Sequence, residues 1–132
     1  MKGRELMGMD FVFESNIEKA MYKKSEFTID DEMDYFIGEI KEYIDVISKG
    51  SADVLLSIDP YGDSVLSNEQ VEKLLVLGKS MIDEELIDHL KYLKLFKRYN
   101  VDEKEYIDFA NDLINVCSKA IEENKQIVSL GD

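Results

Sequence analysis

Asp59 and Asp63 lie four residues apart around Pro60-Tyr61-Gly62, with Ser57, Ser64 and Ser67 close by. Oxygen donors at short spacing are what a hard cation such as Ca²⁺ requires. Counted as a calcium loop from Asp59, however, the third position is Tyr61, the sixth Ser64 and the twelfth Gln70. An oxygen ligand, a glycine and a bidentate glutamate are needed there. A tight turn explains the same residues more simply. Pro60 presets φ for the first corner, Gly62 can take the left-handed position that follows, and the aspartates can accept from backbone N–H groups. Tyr61, at the tip, is expected to be exposed, and an exposed aromatic is a favoured interface anchor.

Other chemistry has less to build on. The chain has one histidine, His89, inside a helical pattern, whereas a zinc site needs three or four ligands. His89 is expected to be a surface or groove residue. The single cysteine, Cys117, sits on an apolar helical stripe, and no G-x-S-x-G elbow or glycine-rich phosphate loop occurs. No catalytic residue, metal or cofactor is therefore expected.

Asp and Glu number 29 against 16 Lys and Arg, a net charge of −13. The excess of acids runs through the whole chain rather than forming a tail. With 45% hydrophobic residues in 132, the chain is folded, and one domain with one core is expected. Such a charge disfavours nucleic acid, which needs clustered cations, and suits a partner with a basic surface. No apolar run approaches a membrane span of about 20 residues, and no signal-peptide pattern is present. With one unpaired cysteine, a cytoplasmic location is expected.

The turn needs elements to hold it. Residues 54–66 read as a hairpin of two short apolar strands, and residues 126–130 as a terminal strand pairing beside it. Asp10-Phe11-Val12-Phe13-Glu14 reads as another strand, and Ile17 to Tyr22 as a turn or two of helix. A long helix is expected from Thr28 or Asp30 to Ile47, with Met33, Phe36, Ile37, Ile40, Tyr43, Ile44 and Ile47 as one apolar stripe. Ser67-x-x-Gln70 opens a helix to Ile82, a break follows near residue 83, and a second segment runs to Asn100. Asp102-x-x-Glu105 opens the last helix, which Asn124 ends. The fold class is thus α+β: a mostly helical single domain over residues 9–132, with a small antiparallel sheet built on the 54–66 hairpin and the C-terminal strand. Residues 1–8, with Met1 and Met7 and a further methionine at Met9, read as a non-native or disordered extension.

The run Asp59-Pro60-Tyr61-Gly62-Asp63-Ser64-Val65, followed by a helix, together with the terminal Leu130-Gly131-Asp132, resembles small acidic bacterial proteins. These carry a D-P-Y-G-D-T-V-type hairpin and end in Gly-Asp, and they are similar to immunity proteins of polymorphic toxin systems. The resemblance implies a non-enzymatic inhibitor that neutralises a toxin through an acidic surface. Asp59, Tyr61, Asp63 and Asp132 are the candidate partner-binding residues, since the terminal strand brings Asp132 toward the turn. Two alternatives stand beside it. One is a homodimeric regulatory or structural module joined through the helix after Ser67, and the other is a metal-dependent enzyme using Asp59, Asp63 and Asp132.

Overall fold

A computed structural model describes residues 8–131. β1 (Gly8–Phe13) leads through α1 (Ile17–Ala20) to β2 (Phe27–Asp30). Three helices follow: α2 (Asp31–Glu39), α3 (Lys41–Ile47) and α4 (Ser51–Leu56). A short β3 (Ser64–Val65) precedes α5 (Asn68–Met81), α6 (Glu84–Tyr92), α7 (Leu95–Arg98), α8 (Glu103–Glu122) and β4 (Ile127–Leu130). The chain is α+β, with a four-stranded antiparallel sheet in the order β2-β1-β4-β3.

Strand alternation gives the sheet two faces. Met9 and Phe11 of β1, Phe27 and Ile29 of β2 and Ile127 of β4 turn toward the helices and join the main core. Val12 and Val128 point the other way and are covered by Ala20 and Ile17 of α1. On the helical side α5 and α8 pack most extensively. Gly78 makes this close: a Cβ there would stand 2.8 Å from Ile114 Cγ1 and 3.1 Å from the Ala110 carbonyl oxygen. Phe36, Phe96 and Tyr106 form an aromatic cluster, and the Tyr106 hydroxyl donates to the Met81 carbonyl at 2.9 Å, satisfying an acceptor in the last turn of α5.

Several expectations are met. The Ser67–Gln70 capping box has both of its hydrogen bonds, Asp83 caps α6 after the break, and Asn100 and Asn124 stop their segments in the left-handed conformation. The terminal strand pairs with β3. The hairpin itself is absent. Residues 51–56 are helical after Gly50 turns the chain at φ 85°, and Leu55 is fully buried while Val54 and Leu56 are half-buried. A short apolar run fits a strand or a buried helical turn equally well, and here the core lies on one side only. The sheet gains β2 instead. Thr28, read as a helix start, is a strand residue whose hydroxyl donates to Asp10 Oδ1 at 2.6 Å, while Asp30 caps α2 by accepting from Met33 N–H.

The expected long helix is split at Ile40, whose ψ of 7° leaves the α region. Ile40 and Ile44 remain in the core and Tyr43 packs half-buried against it, but Ile47 leaves it. The following segment also breaks, at Lys94 with φ 59°. The expected extension over residues 1–8 lies outside the described residues except for Gly8, which opens β1. Among the described residues no helix is long and apolar enough to cross a membrane.

Candidate partner-binding surfaces

The turn after α4 is built by its own polar groups. Asp59 Oδ1 accepts from Tyr61 N–H at 2.9 Å, and the Asp59 carbonyl accepts from Gly62 N–H at 3.3 Å. Asp63 Oδ1 reaches across to β4 and accepts from Gly131 N–H at 2.9 Å. Gly62 is not left-handed as expected, since Gly50 is the only described glycine with positive φ. Space explains it instead, because a Cβ at Gly62 would stand 2.9 Å from Asp59 Oδ2. The fit at Gly131 is tighter still. A Cβ there would meet the carbonyl oxygens of Gly62 and Pro60 at 2.5 and 2.6 Å.

Asp59 and Asp63 therefore spend hydrogen-bonding capacity on folding the turn and fastening it to the C-terminal strand. Tyr61 makes none of these bonds through its side chain and projects with 67% of its surface exposed. The structure brings Asp59, Tyr61 and Asp63 together, while Asp132 lies outside the described residues. Among the described residues no group of three or more His, Cys, Asp or Glu side chains is placed to hold a metal ion.

The fit at Gly131 gives a direct test. Gly131→Ala pushes the terminal strand off the turn and is expected to cost about 1–3 kcal/mol, the usual range for forced overpacking. Asp63→Ala removes the same hydrogen bond without the clash and is expected to cost less, about 0.5–1.5 kcal/mol. Denaturant melts check the order, and equal stability of Gly131→Ala and the parent would show that the strand end is not fastened.

Two surfaces escape sequence reading because they join distant segments. The first is a cleft of ≈ 550 Å³ between β2 and the start of α8. Glu26, Asp30, Glu105, Asp108 and Asp112 line it over a floor of Phe27, Phe109 and Met33, and no cation belongs to the lining. Lys104 neutralises one of these acids from outside, bonding Asp108 Oδ2 at 2.7 Å. The spacing of Glu105, Asp108 and Asp112 on one helix face was the available signal, but only the fold adds Glu26 and Asp30.

The second surface is a groove of ≈ 440 Å³ between α3 and α6, lined by Tyr43, Val46, Ile47, Leu86 and His89 with Asp83 and Glu85. Val46 is 85% exposed. His89 is thus the groove residue expected, its ring edge-on to Tyr43 with centroids 5.3 Å apart. The α3 wall is tied to α4 by Lys41, which bonds Asp45 Oδ2 at 2.8 Å and Asp53 Oδ1 at 3.3 Å. That ammonium, helped by Gly50 N–H, holds the Asp45 carboxyl below the usual carboxylate range.

Elsewhere the chain offers less. Lys23, Lys24, Lys119 and Lys125 surround Phe13 in a second ≈ 550 Å³ cleft. Lys119 lies in the last turn of α8 and Lys125 just beyond it, where cations offset the helix dipole, and Lys23 and Lys24 follow α1. Cys117 is fully buried, and desolvation pushes its thiol up to about 12, so it is no nucleophile at neutral pH. The helix after Ser67, α5, leaves Val76 as its one exposed large hydrophobic residue among those described. No family model matches the chain, and no curated protein or solved structure matches it.

Proposed function

We propose that the chain is a non-enzymatic, cytoplasmic protein of the immunity type, which neutralises a basic bacterial toxin by engaging it with an acidic surface. The observation that carries this reading is the cleft between β2 and α8. Five carboxylates converge there on an aromatic floor with no cation in the lining. A lysine or arginine from a partner fits both parts, with its charged head among the carboxylates and its aliphatic stem on Phe27 and Phe109. The net charge of −13 adds long-range attraction for a basic partner and raises the association rate. Exposed Tyr61, on its fastened turn, supplies a rigid aromatic contact.

The test uses the purified product of the neighbouring gene. It is expected to bind the chain, lose its toxicity on co-expression, and bind more weakly as salt rises. The double variant Glu105→Lys with Asp112→Lys changes two exposed side chains and is expected to weaken binding by at least about tenfold. A neighbouring product that is neither bound nor inhibited would sink the reading.

A further inference from the structure

We propose that the groove between α3 and α6 is a docking surface for a basic amphipathic helix of a protein partner. The inference rests on the reading that the chain binds a basic protein, and it adds a second, apolar surface to that reading.

The argument starts from α3. Its buried contact is made by Ile44, next to Ile40 at the break, and both are fully inaccessible. Tyr43, Val46 and Ile47 form a separate stripe at spacings of three and four residues, the spacing of a helix face that packs against something. Tyr43 is half-buried against the core and the His89 ring, but the stripe is left open beyond it among the described residues: Val46 is 85% exposed and Ile47 44%. The exposed parts of Val46 and Ile47 are apolar surface that a docked partner would remove from water. On the opposite wall, α6 contributes Leu86 and the His89 ring. Tyr92, one turn beyond His89, is 81% exposed and extends the apolar strip.

The rim selects the occupant. Asp83 and Glu85 are the charged residues of the lining. Glu42 beside Tyr43, and Glu84 and Asp88 on α6, are exposed acids of the same two helices. Opposing them, Lys49 is exposed just past α3, and Lys91 is already paired with Glu103 at 3.7 Å. An apolar strip between two short helices with an acidic rim suits a helix that presents aliphatic side chains at i, i+3, i+4 and i+7 with lysines or arginines flanking them. A second copy of this chain would bring the same acidic rim and be repelled.

The test follows amide chemical shifts of the whole chain as a helical peptide of leucine and lysine is added. A second peptide of equal charge carries serine in place of each leucine. The leucine peptide is expected to give saturable shifts at Tyr43, Val46, Ile47 and His89. The double variant Val46→Ser with Ile47→Ser, both exposed in the parent, is expected to weaken its binding at least about tenfold. The serine peptide is expected to leave the groove unshifted. Leucine-peptide shifts confined to Glu105, Asp108 and Asp112, or equal groove binding by the serine peptide, would overturn the groove while leaving a basic partner in place. If neither peptide shifts any acidic surface, both the groove and the basic-partner reading fall. A concentration-dependent dimer abolished by the double variant would make a second copy the occupant and overturn the proposal.

Discussion

Tyr106→Ala is expected to lower the unfolding free energy by about 3–5 kcal/mol, the range for emptying a buried aromatic site. The ring is fully inaccessible and meets Phe36 and Phe96 edge-on, with centroids 5.8 and 5.1 Å apart. Removing it leaves a void bounded by two other rings, which cannot close without moving α2 and α7. The hydroxyl makes a separate contribution, because Met81 is the last residue of α5 and its carbonyl has no helical partner. Tyr106→Phe keeps the ring and strands that carbonyl, so about 1–3 kcal/mol is expected for it alone. Urea melts of the two variants separate packing from hydrogen bonding, and equal losses would mean that the void is refilled.

The same residue sets an alkaline limit. Burial pushes the Tyr106 phenol well above its ordinary value of about 10. An acid whose folded-state pKa is raised stabilises the fold fully below its unfolded pKa, and that contribution fades as pH climbs above it. Parent stability is therefore expected to fall as pH rises above about 10. The slope should be shallower in Tyr106→Phe.

Residues whose neighbours in sequence are also their partners were legible. Ser67 and Gln70 cap each other within one turn, and the stripe of Tyr106, Phe109, Leu113, Val116 and Cys117 needs only a helix to align it. Misreadings arose where local pattern was ambiguous. Val54-Leu55-Leu56 carries strand propensity, but three apolar residues cannot reveal that Gly50 has turned the chain and that Leu55 faces the core. Phe27 to Asp30 alternates buried and exposed as a strand should, yet Asp30 both ends β2 and caps α2, and its capping role masked the strand.

The turn was legible as a turn because Asp59, Pro60 and Gly62 act within it. That Asp63 fastens it to Gly131 was not, since the bond spans 68 residues. The acidic cleft and the α3–α6 groove share this origin, each closing only when the fold brings two remote segments together. One signal for the groove was available locally. Val46 belongs to no core stripe, and an aliphatic residue outside the stripe marks a face seeking another partner.

Gly78→Val is expected to cost about 3 kcal/mol, toward the upper end of what overpacking usually imposes. Glycine inside a helix is itself unfavourable by about 1 kcal/mol relative to alanine, so its presence within α5, in the last turn, requires a packing reason. The reason is α8, whose Ala110 carbonyl and Ile114 side chain occupy the space a Cβ would need. Valine adds two methyl groups beyond that Cβ and forces the principal helix pair of the core apart. Gly78→Ala adds only the Cβ, and its helix-propensity gain offsets part of the strain, so a smaller loss is expected. Ile114 yields more readily than the Ala110 backbone, being half-buried. Ile114→Ala in the Gly78→Val background is therefore expected to recover part of the loss. A double-mutant cycle should give a favourable coupling within about 0.5–3 kcal/mol. Additive losses would place the strain on the Ala110 carbonyl instead, and Gly78→Val as stable as the parent would mean that α5 and α8 can separate at no cost.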